Sequence, residues 1–385
     1  MHVLFLTPWY PNRSDAMDGI FVRKHAQAVA AMGVSVSVLR VHPDPAAKRI
    51  EVDASKVEGV NEVMVYTPES PAHPLRPATA ALNFLVGFWR GYKAVERRGG
   101  RPDVIQVNVL TRMGVMAWAM RKVMGVPYVI IEHWGRYHPW RNEYKGAIRR
   151  FATETSCMAA ERVMTVSEDL GQVMRQCGIK AKRWCVVRNV VNDFFFSGER
   201  TPRGAGPCRL LCVTTAAEWL KNTTGTLRGL KRVADRGLPF HLTIAGLERK
   251  TVKSVDEAVS ELGLEDKVTF AGEVPPEEVS RLMHSSDALI LFSNKENAPC
   301  VISEALASGT PVVATGVGGI PEMLDDLTGI IVPPQDEAAL ADAVCEVITG
   351  AKKFNEEAMR KAGEAYSFGN VGRQLVGIYK ETIAK

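Results

Sequence analysis

The sequence predicts an α/β protein made of two Rossmann-like, doubly wound domains facing each other across a cleft. Three observations carry that expectation. Strand-like runs rich in Val, Ile, Leu and Phe alternate with helical patterns along the whole chain, the signature of βαβ units around parallel sheets. The alternation breaks at SGERTPRGAGPC (residues 197–208), where Gly, Pro, Ser and Arg replace the apolar rhythm, and then restarts. The length, 385 residues, exceeds one core of the usual size and suits two.

In the first half the expected strands are residues 2–8, 34–41, 62–68, 103–109, 127–133 and 162–167, with a short last one near 184–188. In the second half they are residues 209–215, 240–246, 267–272, 288–294, 311–317 and 328–334, each followed by a helical pattern. The predicted organisation is a first domain over residues 1–190, a linker over 191–208, a second domain over 209–368, and a C-terminal helix over 369–385 that packs back on the first domain. Ligands of such sheets sit beyond the carboxyl ends of the strands, so the residues just after these runs are where chemistry belongs.

Composition narrows the class. Hydrophobic residues make up 46% and charged residues 24%, which is enough apolar surface for a folded core. The opening MHVLFLTPWYPNR lacks a basic segment and is broken by prolines, so it reads as a first strand rather than a signal segment. ALNFLVGFW (81–89) is closed by Arg90 and Lys93, far short of the roughly 18 apolar residues a membrane helix needs. The seven cysteines show no C-x-x-C spacing and mostly lie in apolar runs, as in a reduced cytoplasmic chain.

The net charge of +5 hides an asymmetry, because residues 1–190 carry 27 Lys and Arg against 16 Asp and Glu, and the remainder 21 against 27. Basic residues gather at 90–101 and 136–150 among Trp and Tyr. That pattern fits a surface meeting anionic lipid or another anionic partner, and equally a solvated helix face.

The most informative stretch is ALILFSNKENAPCVISEALASGTPVVAT, residues 288–315. A strand ends near Asn294, a loop carries Glu296, and a helix starts near Cys300 or Val301 with Glu304 in its first turn, stopped by Gly309. Amides at that helix start, on Cys300, Val301 and Ile302, suit a diphosphate. A carboxylate at either end of the element accepts hydrogen bonds from vicinal hydroxyls of a ribose or a sugar. Glu304 alone is equally a glutamate that complements a helix dipole.

Glu296 and Glu304, in the form E-N-A-P-C-V-I-S-E-A-L-A-S-G-T-P-V-V-A, resemble the E-x7-E element of the retaining glycosyltransferases of family 4, which have the GT-B fold. The resemblance covers nearly the whole chain. It includes YP…DGIFVRKHAQAVAAMG, IIEH, TVSEDL and VVRNVVND in the first half, WLKN after the linker, and GVGGIPEMLDDLTGIIVPPQDEAALADAV towards the end.

It implies that the first domain takes the acceptor and the second a nucleotide diphosphate sugar as co-substrate. By this resemblance Glu304 holds the donor ribose, Glu296 the transferred sugar, and Lys221 the diphosphate, whose charge grows as the glycosidic bond breaks. His133 corresponds to the family's active-site histidine beside the donor sugar. Gly19 lets backbone approach the donor phosphates or the acceptor. Ser167 and Asn189 fall at matching strand ends. The family's arginine a few residues before the lysine is missing, with Thr214 and Thr215 at the candidate positions.

The expectation is therefore a retaining, metal-independent transfer to a glycan or lipid-linked glycan in cell-surface polysaccharide synthesis. The enzyme would be cytoplasmic or peripheral on the membrane's inner face. No nucleic-acid partner and no cofactor beyond the co-substrate are expected. His133 and His138 do not make an H-E-x-x-H pair, and no D-x-D is present. GVGGIP is not the dinucleotide fingerprint, which argues against a nicotinamide oxidoreductase. A nucleotide-sugar epimerase of the same fold and a non-catalytic nucleotide-sugar binder are the alternatives.

Overall fold

The computed structural model describes residues 1–69, 76–110 and 112–384. The chain forms two compact units, Met1–Val190 with Phe368–Lys385, and Val191–Ser367. The first is built on eight strands: β1 (His2–Leu6), β2 (Ser35–Asp44), β3 (Glu51–Val57), β4 (Val60–Pro68), β5 (Val104–Asn108), β6 (Tyr128–Glu132), β7 (Arg162–Thr165) and β8 (Trp184–Val186). Their order across the sheet is β3-β4-β2-β1-β5-β6-β7-β8, and all pairs are parallel except β3 with β4. The central strands β1, β5 and β6 are buried along their whole length, as parallel strands covered on both faces must be.

Right-handed crossovers sort the helices of this unit onto two faces. Helix Ile20–Ala30 packs with the C-terminal helix Phe368–Ile383, whose Val371, Leu375, Ile378 and Tyr379 join Val22, Ala26 and Val29 in one apolar cluster. The Tyr379 hydroxyl donates to Gln106 Oε1 on β5. Helices Arg76–Gly99, Arg112–Met124, Ala147–Ala159 and Glu168–Gln176 follow crossovers that run the opposite way across the sheet, and so form the other layer.

Strand β3 escaped the sequence reading. EVDASKV is polar and only half-covered, because it lies at the sheet edge and pairs on one side alone. Glu58 and Gly59, at φ 47° and 83°, close it onto β4 in a two-residue hairpin.

The second unit holds β9 (Cys208–Val213), β10 (Phe240–Ala245), β11 (Val268–Gly272), β12 (Ala288–Leu291), β13 (Val312–Thr315) and β14 (Gly329–Val332), all parallel, in the order β11-β10-β9-β12-β13-β14. That is the dinucleotide-fold order. The direction of winding reverses between β9 and β12, so the loops after these two strands frame its ligand crevice. In the first unit the reversal lies between β1 and β5.

The expected linker over residues 191–208 is corrected by the structure. Val191 donates to Tyr366 O at 2.9 Å, Thr201 N to His284 O at 2.9 Å, and Phe195 is fully buried among Leu291, Ile302 and Leu306. Three consecutive phenylalanines, Phe194 to Phe196, supply apolar surface that a free linker would not carry. The polar stretch 201–207 is exposed.

Candidate active site

The second unit's site grows from its switch point. After β9 the chain turns through Thr214 and Thr215 into the short helix Glu218–Lys221, and after β12 through Ser293 and Asn294 into the loop that carries Glu296. Asn294 N donates to Leu220 O at 2.7 Å and Asn294 Nδ2 to Trp219 O at 3.1 Å, which ties the two loops together. Lys221 Nζ consequently lies 2.6 Å from Glu296 Oε1, with side chains 20% and 10% exposed. Ser293 Oγ donates to the same carboxylate oxygen at 2.8 Å, and Thr315 Oγ1 at the end of β13 donates to Ser293 O at 2.6 Å. A third loop closes the arrangement, since Gly319 N donates to Asn297 O at 2.7 Å.

Gly318 decides whether these loops can meet. Its φ is +56°, and a Cβ there would fall 1.9 Å from Glu296 O. Only glycine permits that approach. The GVGGIP segment, which is no dinucleotide fingerprint, is thus a backbone support for Glu296.

Helix Cys300–Ala307 follows the loop of Glu296, and no side chain caps the amides of its first turn. Two expectations are corrected here. Ile302 N already donates to Pro299 O at 3.2 Å, so it is not among the amides open to a diphosphate; Cys300 and Val301 remain the candidates. Glu304 is the fifth residue of the helix, beyond the first turn, and stands one turn from Cys300 on the same face. Of the two threonines, Thr214 is buried with its Oγ1 3.2 Å from Thr223 Oγ1, while Thr215 is exposed.

In the first unit Gly19 and His133 come together through their neighbours. Gly19, at φ 62°, begins helix Ile20–Ala30, and a Cβ on it would strike Trp9 C at 2.3 Å. Phe21, in the first turn of that helix, lies tilted against the half-buried His133 ring with centroids 4.4 Å apart, and Trp9 meets Trp134 at 5.2 Å. Burial, and then the neighbouring His25 ring at 5.4 Å, hold the His133 imidazole well below its ordinary pKa, against a hydrogen bond with Asn189. His133 is therefore neutral at neutral pH and offers hydrogen bonds rather than charge. Ser167 instead caps helix Glu168–Gln176, accepting from Leu170 N at 3.2 Å.

The residue that sequence reasoning missed most plainly is Glu132. It is fully buried at the end of β6 and accepts from Leu110 N (3.0 Å), His133 N (3.0 Å), Trp134 N (2.9 Å) and the Tyr137 hydroxyl (2.9 Å). Burial pushes its carboxyl up, opposed by Arg136 and these donors. One carboxylate thus fixes the turn that presents His133. An acidic residue closing an otherwise apolar strand was the available signal.

A cavity of about 570 Å³ opens at the carboxyl ends of β2 and β4, lined by His42, Asn83, Phe84, Arg76 and Arg112 among others. The Arg112 guanidinium sits 5.5 Å over the Phe84 ring, and among the described residues neither arginine has a carboxylate partner. Among those residues no three His, Cys, Asp or Glu side chains converge as a metal site requires.

Comparison with known proteins now bears on this geometry. The family model described as "Glycosyl transferase 4-like domain" matches residues 19–190, and that described as "Glycosyl transferases group 1" matches residues 207–350. An uncharacterised glycosyltransferase of Methanocaldococcus jannaschii is 32% identical over 99% of this chain and 98% of its own. The chain is a group 1, family 4 glycosyltransferase.

The alpha-D-kanosaminyltransferase of Streptomyces kanamyceticus is 24% identical over 94% of this glycosyltransferase and 99% of its own length. Among solved structures, sucrose-phosphate synthase from Thermosynechococcus elongatus superposes with a TM-score of 0.76 at 20% identity, covering all of both chains. An Anabaena protein solved with UDP-glucose gives 0.70 at 17%, over 99% and 100%. The fold is GT-B, and family membership decides for a transferase over the epimerase and the non-catalytic binder.

Proposed function

We propose that this glycosyltransferase carries out a retaining, metal-independent transfer from a nucleotide diphosphate sugar to a glycan or lipid-linked glycan in cell-surface polysaccharide synthesis. It would work in the cytoplasm, peripheral on the inner face of the membrane. The observation that carries the reading is the Lys221–Glu296 pair at the second unit's switch point, ahead of the helix that bears Glu304. Without ligand the two side chains neutralise each other. An arriving donor exchanges that bond: the ammonium turns to the diphosphate with the amides of Cys300 and Val301, and the freed carboxylate accepts from a sugar hydroxyl. Glu304 takes the ribose hydroxyls. That a structural neighbour was solved with UDP and UDP-glucose supports a nucleotide-linked donor.

In this scheme Lys221 stabilises the charge that builds on the leaving diphosphate. The leaving phosphate takes the proton of the attacking acceptor hydroxyl on the same face. Neutral His133, oriented by Glu132 and Asn189, contributes a hydrogen bond to the transferred sugar, and Gly19 keeps the neighbouring backbone open. The cavity with Arg76 and Arg112 receives the acceptor.

The test is a panel of UDP, GDP and ADP sugars read by thermal stabilisation and by slow donor hydrolysis, with wild type beside Glu304→Ala. One donor should raise the melting temperature and be hydrolysed by the wild type only. Stabilisation retained in Glu304→Ala, or no response to any donor, overturns the site assignment.

A further inference from the structure

We infer that three helices of one layer, Arg76–Gly99, Arg112–Met124 and Ala147–Ala159, dock the protein on an anionic lipid bilayer. The inference deepens the reading of the acceptor as lipid-linked. It stands on surface chemistry alone, so it succeeds or fails apart from the donor chemistry.

Large apolar side chains are exposed on all three helices. Leu82, Leu85 and Trp89 follow one another at helical spacing along an exposed face of Arg76–Gly99, beside the face that buries Phe88, Gly91 and Val95. On the adjoining helix Val123 is 85% exposed. On Ala147–Ala159 Ile148 and Phe151 are 88% and 72% exposed, and Met158 continues their face. The three helices are neighbours: Arg112 lies over Phe84, and Arg112–Met124 packs against Ala147–Ala159. Apolar side chains gathered on one layer mark an interaction surface.

Charge selects the partner. The three helices carry ten Lys and Arg against two Glu. Lys93 pairs with Glu96 and Arg121 with Glu161, but among the described residues the other eight cations have no carboxylate partner. Apolar side chains interleaved with unpaired cations are what an interfacial helix presents to acyl chains and anionic headgroups. The opposite layer differs in its apolar exposure: on helices Ile20–Ala30 and Phe368–Ile383, Ile383 is the one large exposed apolar residue among those described. No helix among the described residues is long and apolar enough to cross a membrane, so this attachment lies in the bilayer surface.

The experiment is co-sedimentation of the full chain with vesicles of phosphatidylcholine alone or mixed with phosphatidylglycerol, without any nucleotide sugar. Binding should require phosphatidylglycerol and weaken as salt rises. The double variant Arg149→Glu, Arg150→Glu should bind at least tenfold more weakly. Phe151→Ser should also bind more weakly, with the salt dependence kept. Lys380→Glu, on the opposite layer, should bind as wild type, and all variants should melt as wild type does. Equal binding to phosphatidylcholine alone, or full binding by the Arg149/Arg150 variant, overturns the inference. So does concentration-dependent dimerisation that Phe151→Ser abolishes without vesicle binding, which would make the layer an interface between copies.

Discussion

Lys221 and Glu296 are 2.6 Å apart in a largely shielded setting, so the position of one carboxylate controls what the second unit's site can hold. Gly318 sets that position. In Gly318→Ala a side chain enters the left-handed region and its Cβ overlaps Glu296 O, so the loop must shift to relieve the contact. The expected cost is about 1–3 kcal/mol of stability. Turnover should fall about a hundredfold, since a displacement near 1 Å at a reacting centre has that effect. Gly204→Ala, in open surroundings on the exposed segment, should change neither. Steady-state rates and melting curves of the two variants check this, and near-normal turnover by Gly318→Ala would remove Gly318 from the site's support.

The histidines behind the site make a second prediction at this scale. Burial lowers the pKa of the fully buried His25 to about 4, while its Nε2 donates to Arg188 O at 2.9 Å. The unfolded chain, with an ordinary histidine pKa of about 6.5, binds the proton first as the pH falls. Stability is thus complete above about pH 6.5 and is lost progressively down to about pH 4. By pH 5 the loss from His25 is on the order of 2 kcal/mol. His133, held low by burial as well, acts in the same direction. Melting temperatures of wild type and His25→Gln at pH 7 and pH 5 measure it: the gap between the two pH values should narrow in the variant.

At the scale of elements, the parallel strands were legible because burial on both faces demands continuous apolar runs, as in β1 and β6. The β3 edge strand was not, since its polar sequence answers to a single partner and a two-residue turn. The loss of apolar rhythm at 197–208 does not mark the boundary between the units, which falls at Val190 and Val191, and Phe194 to Phe196 already belong to the second unit's core. The sequence put Glu296 in a loop and Glu304 on the helix that follows it, and both lie so, because loop and helix start are local. Ser293, Thr315 and Gly318 were hidden, because their part depends on three loops distant in sequence meeting around one carboxylate. Glu132 was hidden for the same reason: its donors come from the ends of β5 and β6.

At the scale of the whole molecule, the first unit is completed by the last residues of the chain. Strand β5 receives the Tyr379 hydroxyl on Gln106, and the cluster of Val22, Ala26 and Val29 is closed by Val371, Leu375, Ile378 and Tyr379. Each of those four side chains contributes roughly 1.5–3 kcal/mol by burial. Their sum is comparable with the total stability of about 5–15 kcal/mol expected of a folded domain. The second unit, Val191–Ser367, places none of its residues in that cluster. A chain ending at Ser367 should therefore lose the first unit's cooperative melting, bind a hydrophobic dye and resist proteolysis only across residues 191–367. Because the proposed donor site lies in the second unit, the truncated chain should still be stabilised by the nucleotide sugar that stabilises the full chain, while transfer to any acceptor disappears. A truncated chain that melts in two transitions and keeps transfer activity would show that the first unit folds without its C-terminal helix.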